Sequence, residues 1–235
     1  PLAAKTLRLV NTAYYGLRQK VTSIEHAVVL LGVKVIKNLV FTATVFDTIK
    51  GGAGAYFRHS VACGLAMRAL AEQGATVAAD TTGDDAFTYG LLHDIGKIVL
   101  EAFLPKEYGL AKSAMLARAL TAYDAEREVL GLDHAQVGAR LAETWKLSDA
   151  VVDAIGGHHD LERCQAEEHR QGASLIAVAD YICWQCAIAP KGHTVVHVAD
   201  GAWEAAGLAS DTVPAVLNTF FTELPVLDEL IQIAA

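Results

Sequence analysis

Apolar residues recur at helical spacing along almost the whole of this chain, and the alternating pattern of a half-buried strand is nearly absent. Ala, Leu and Glu, all strong helix formers, are abundant. Val195 to Val198 is the single strand-like run, and it is too short to carry a sheet. The expected fold is therefore all-α, a bundle of many helices. Of the 235 residues, 53% are hydrophobic and 20% are charged, which is the balance of an ordered chain with a substantial core, not of a disordered one.

Breakers divide the pattern. Leu2 to Val10 reads as a helix, closed by turn-forming residues from Asn11 to Gly16. Thr22 to Glu25 has the T-x-x-E form of a capping box and should start a helix that runs to Leu31, where Gly32 interrupts it before a second run from Val33 to Ile49. Gly51 to Gly54 is a boundary. A longer helix follows from Tyr56 to Gln73, and then a polar loop from Asp80 to Asp85. A single helix is expected from Phe87 to Phe103, ahead of Pro105. Further helices are expected near 106–121, 123–130, 134–145, 149–158, 171–188, 199–206, 211–222 and 225–233. The expected organisation is an N-terminal helical subdomain over 1–50, a helical core over 55–190 and a C-terminal helical extension over 191–235.

The formal net charge is −8, and no Lys/Arg-rich block is present to track a phosphate backbone, which argues against nonspecific nucleic-acid binding. A local basic pocket for a nucleotide stays open. No signal peptide is visible, and no uncharged apolar run reaches about 18 residues, so no membrane span is expected. The chain opens at Pro1-Leu2 inside a helical pattern, which leaves room for a domain upstream. Cys63, Cys164, Cys183 and Cys186 do not form the dense framework of a small secreted protein. Cys183 and Cys186 make a lone C-x-x-C in an apolar helix, and we read the thiols as core residues of a protein in reducing cytoplasm.

Several polar residues sit where a core is expected. His59 shares a helix face with Cys63, Ala66 and Leu70. His134 shares one with Gly138, Leu141, Ala142 and Trp145, while Asp133 is placed to cap that helix. His93-Asp94 follows the apolar run Tyr89 to Leu92, and Lys97 lies three residues after Asp94, within reach of an ion pair. His158-His159 follows Gly156-Gly157 at an expected helix end, where both rings could converge. Asp180 is an acid inside the apolar stretch Leu175 to Ile182, so the fold must bring it a metal, a histidine or an arginine. Each residue alone has an ordinary structural explanation. Together they form a set of His nitrogens and carboxylate oxygens suited to zinc, iron, manganese or another divalent ion, and helical bundles build such sites from several helices.

The order His59, His93-Asp94, Asp180 resembles the HD superfamily of metal-dependent phosphohydrolases. Leu7 to Gly16, Ile24 to Val28 and Leu31-Gly32 are similar to the opening of an HDOD domain, the HD-related output domain of bacterial signalling proteins. Gly90 to Lys97, His134 to Ala139, Trp145 to Leu147 and His158-His159 continue that pattern. The resemblance covers nearly the whole chain and implies a bacterial, cytoplasmic signalling module, often attached to a receiver-like domain. It also implies that His59, His93, Asp94, His134, His158, His159 and Asp180 match the ligand pattern of the related HD-GYP phosphodiesterases. Lys97 would then match their phosphate-facing lysine. Many HDOD members are regarded as non-catalytic through loss of ligands, whereas this chain keeps the set. It departs from HD-GYP in having Asp160 to Arg163 after His158-His159, without Gly-Tyr-Pro, and in having Ala55 four residues before His59.

Three functions follow from these residues. The first is an output module with one or two divalent ions (Fe, Mn, Zn or Mg) that acts through a protein partner or a small ligand. The second is a phosphohydrolase acting on a nucleotide or other phosphoester, with Asp94 and Lys97 in catalysis. The third is a metal-free bundle in which the polar cluster is a hydrogen-bonded relic.

Overall fold

The structure is a computed structural model, and it describes residues 2–12, 15–48, 54–75, 83–190, 195–209 and 211–234. No strand occurs among the described residues. The helices are α1 (Leu2–Val10), α2 (Ile24–Thr48), α3 (Gly54–Glu72), α4 (Gly83–Leu92), α5 (Ile95–Phe103), α6 (Pro105–Arg118), α7 (Ala122–Leu130), α8 (His134–Thr144), α9 (Asp149–Gly157), α10 (Arg170–Gln185), α11 (Ala202–Ala205) and α12 (Val213–Ala234). The expected breakers at 51–53 and 191–192, and the first part of the expected loop at 80–85, lie outside the described residues.

α3 is the central helix. It packs against α4, α10 and α12, while α8 lies between α5 and α9, and α1 rests on α2. The main core draws Leu9 and Val10 from α1, Leu65 and Leu70 from α3, Ile155 from α9, Leu175 and Ile176 from α10, and Phe220 and Leu227 from α12. One apolar cluster therefore runs through all three stretches of the sequence.

Four local readings need correction. The capping residue of α2 is Ser23, whose Oγ accepts from the His26 amide at 3.1 Å, so the helix starts one residue later than a Thr22 cap would place it. Gly32 interrupts as expected: its φ of 84° and ψ of 157°, a conformation open to glycine, kink α2 into two helical runs. The expected helix over 87–103 is two helices, α4 and α5, broken at His93-Asp94. The two expected helices over 211–233 are one, because Phe220, Leu227 and Leu230 are buried on the same core and carry the helix through Pro225. Val195 to Val198 is irregular chain, not a strand.

Two glycine contacts set how closely the helices approach. A Cβ on Gly90 of α4 would lie 2.4 Å from the carbonyl oxygen of Cys63 in α3. A Cβ on Gly96 of α5 would lie 1.9 Å from the carbonyl oxygen of His134 in α8. Backbone meets backbone at both places, so a side chain cannot be accommodated by rotation. Gly96→Ala is expected to destabilise the fold by about 2 kcal/mol or more, read as a lowered midpoint in urea unfolding. An unchanged midpoint would show that α5 and α8 can separate freely.

Candidate metal centre

The break between α4 and α5 is what allows His93 and Asp94, adjacent in sequence, to face one place. Both are completely buried, as are His134 and His158, and His59 and Glu126 are nearly so. Each histidine is oriented through one ring nitrogen. His59 Nδ1 donates to the Ile188 carbonyl at 2.8 Å, His93 Nδ1 to Gly90 O at 2.7 Å, and His158 Nδ1 to Ile155 O at 2.7 Å. His134 Nδ1 faces the Glu126 carboxylate at 2.6 Å, and the same Glu126 oxygen takes the His134 amide at 2.7 Å. Each Nε2 is thereby directed inward, which is how metal-binding histidines are commonly held.

The inward atoms form two groups. His59, Cys63, His93 and Asp180 each offer one ligand atom, all within 4.8 Å of one another, and His134, His158 and His159 do the same. Asp94 lies between the groups, with Oδ2 3.7 Å from His59 Nε2 and Oδ1 3.3 Å from His134 Nε2. Asp180 Oδ1 is 3.0 Å from His59 Nε2, so the fold brings Asp180 the partner its apolar surroundings demand. His134 Nε2 and His159 Nε2 are 3.0 Å apart, within hydrogen-bond distance. Lys97 Nζ sits 2.7 Å from Asp94 Oδ2 and is itself buried.

All seven residues singled out in the sequence are thus brought together, and Lys97 with them. The arrangement leaves lone pairs exposed to one another. His93 Nε2, Asp94 Oδ1, His158 Nε2 and His159 Nδ1 are buried atoms with no hydrogen-bond partner. Buried polar atoms are rarely left so, and four at one place fit a divalent ion as the missing partner. The ionisation states suit one. Burial first, and the crowding of neighbouring imidazoles second, push His93, His158 and His159 below the usual histidine range, the direction that favours an uncharged, ligating ring. Burial would lift the Asp94 carboxyl, but His93, Lys97, His134 and His59 outweigh it and keep the group well below the usual carboxylate range.

Glu126 was not picked out from the sequence. Its signal is the helical register of α7, in which Tyr123 and Glu126 lie three apart on the buried face while Asp124 and Glu128 do not. Asp133 caps α8 as expected and forms a full capping box with Gln136. Its other oxygen accepts from Arg163 at 2.8 Å, and Arg163 also donates to Tyr123 OH at 3.0 Å. The segment that follows His158-His159 is in this way tied to the start of the His134 helix. Trp145, at the far end of the expected His134 stripe, is instead exposed. Above the cluster is a small cavity of about 20 Å³, lined by His59, Lys97, Tyr123, His159, Trp184 and His197 among others. That volume holds little more than a water molecule.

The model of the HDOD domain family matches residues 1–161, and the chain belongs to that family. It is 27% identical over 187 residues to an uncharacterized protein of Treponema pallidum (strain Nichols), a match that covers 76% of this chain and 35% of that protein. The chain therefore spans about a third of the length of this relative. Its fold is similar to an HDOD domain protein of unknown function from Geobacter sulfurreducens, with a TM-score of 0.79 and 23% identity over 99% of this chain and 82% of that one. It also resembles a Shewanella amazonensis SB2B protein that carries a provisional phosphohydrolase name, with a TM-score of 0.75 and 24% identity over 100% and 82% of the two chains. A weaker likeness, with a TM-score of 0.50 and 21% identity over 92% and 84%, is to the MmoQ response regulator of Methylococcus capsulatus str. Bath. No helix among the described residues is long and apolar enough to cross a membrane.

Glu126→Gln keeps the size of the side chain but removes the charge that faces His134. It is expected to weaken divalent-metal binding roughly 10–100-fold, measured by competition with a chromophoric chelator. Unchanged affinity would show that Glu126 serves packing alone.

Proposed function

We propose that the chain is a signalling output module built around a divalent-metal centre, held by His59, His93, Asp94, His134, His158, His159 and Asp180. One ion belongs with His59, His93 and Asp180, a second with His134, His158 and His159, and Asp94 between them. The observation that carries this reading is the set of partnerless buried ligand atoms gathered from the α4–α5 break and the end of α9. The donor set of imidazole and carboxylate suits iron, zinc or manganese.

The cavity favours interaction over turnover as the output. A space of about 20 Å³ admits water but not a nucleoside, and Tyr123, Trp184, Pro190 and His197 line it. The centre then acts by fixing the relative positions of α3, α5, α8, α9 and α10, of which α5 and α8 carry exposed residues such as Glu101, Gln136 and Arg140 toward a partner domain. The longer Treponema relative and the response-regulator name of MmoQ are consistent with a receiver-like partner, and we place the module in bacterial cytoplasm.

Lys97 supports a second reading, a phosphohydrolase. Divalent ions supply Lewis acidity and acidify water toward neutral pH. Asp94 would hold its position through its bond to Lys97, and the Lys97 ammonium at the edge of the cavity would offset charge on a phosphoryl oxygen. Substrate entry would require Val195, Val196 and His197 to move aside.

Protein purified without chelators should contain one or two divalent ions per chain by elemental analysis. Chelation should lower the unfolding temperature by roughly 5–10 °C, and the metal should restore it. This is the scale expected for loss of a ligand present at about a hundred times its Kd. Less than about 0.1 ion per chain, with no thermal response to added metal, would contradict the reading and favour a metal-free network. Metal-dependent phosphoester release that disappears in Asp94→Ala would replace the interaction output with hydrolysis.

A further inference from the structure

We propose that Cys63 is a ligand of the centre, so that the ion beside His59 is held by two imidazoles, a carboxylate and a thiolate. This rests on the metal-centre reading and extends it to a residue outside the His/Asp set.

Cys63 is one helical turn beyond His59 on α3 and is completely buried. Its Sγ lies 3.6 Å from His59 Nε2. A thiolate and an imidazole bound tetrahedrally to one zinc ion, at about 2.3 and 2.0 Å, are about 3.5 Å apart. Sγ belongs to the same group of ligand atoms, all within 4.8 Å of one another, as His59, His93 and Asp180. His93 Nε2 in that group is buried without a hydrogen-bond partner, an independent sign that something is to be bound there.

The position of Cys63 is closely fixed. Gly90 presses against the Cys63 carbonyl, and the Gly90 carbonyl in turn receives His93 Nδ1. The α3–α4 contact therefore sets the Cys63 and His93 side chains relative to each other. His59 Nδ1 faces a carbonyl and Nε2 the Asp180 carboxylate at 3.0 Å, so the sulfur at 3.6 Å from Nε2 is left a long, secondary contact where an ion would give it a full bond. An ion in place of the Nε2 proton turns the Nε2 lone pair, the sulfur and the carboxylate toward one point. Cys183 on α10 lies beside Cys63 and is equally buried. A thiolate in the set biases the site toward zinc, iron or cobalt and away from magnesium.

Cobalt(II) added to the metal-depleted full chain tests this. The expected spectrum has visible d–d bands together with a near-ultraviolet thiolate-to-cobalt charge-transfer band. Cys63→Ser should lose the charge-transfer band and keep the d–d bands, whereas Cys183→Ala should keep both. Cobalt bound without a charge-transfer band in the wild type, or a band that survives Cys63→Ser, would overturn the thiolate assignment and leave the His/Asp centre standing. Failure of cobalt to bind at all would overturn the centre and the assignment together. X-ray absorption of the zinc-loaded wild type needs no variant: a sulfur neighbour at about 2.3 Å is expected, and a shell of nitrogen and oxygen alone would refute the proposal.

Discussion

Asp94 is a carboxylate buried completely at the joint between two helices, and much of the structure follows from the need to compensate it. An unpaired charge there would cost several kcal/mol. Lys97 reaches back from the first turn of α5 to one oxygen, and His59 and His134 approach from α3 and α8 on either side. To place Asp94 there the chain must break a helix at His93-Asp94 and bring backbones into contact at Gly90 and Gly96. The same break that aims Asp94 inward aims His93 beside it. A polar cluster inside an apolar bundle is in this way over-determined by packing, and its ligand atoms are held in place before anything binds.

The all-α class and most helix positions were legible because apolar periodicity reports which face is buried. His59, His134 and Asp180 were legible for a related reason, since polar residues on apolar faces stand out, whereas the seven-residue set came from the resemblance to HD-type proteins. What was missed depended on contacts distant in sequence or on register within a short helix. The break at His93-Asp94 was invisible to periodicity, since the apolar pattern continues through Ile95 to Leu100 and only the approach of α8 to Gly96 fixes the bend. Pro225 signalled a boundary that packing of Phe220, Leu227 and Leu230 overrides. Glu126 lies in a charged run of a short helix, where only its register with Tyr123 on the buried face sets it apart from Asp124 and Glu128. Cys63 reads as a small core residue, and its closeness to His59 Nε2 and Asp180 depends on α3 meeting α10.

The HDOD family match takes in the N-terminal helices α1 and α2, and α12, beyond the matched residues, packs against both of them and against α3. The proposed centre rests on the chain's own side chains. Its ring nitrogens are set by backbone carbonyls of Gly90, Ile155 and Ile188, and by Glu126. Among the described residues, chain around Tyr123, Pro190 and His197 leaves a space of about 20 Å³ above it. That small space is the physical basis of the proposal that the centre holds helices in register.

The most direct test of the central claim is an anomalous-difference map from crystals of protein purified without chelators. The account predicts strong density in contact with His93 Nε2 and Asp94, with a further peak among His134, His158 and His159 if both positions fill. A map with no anomalous peak, and with ordered water or a direct protein hydrogen bond at His93 Nε2 and His158 Nε2, would contradict it.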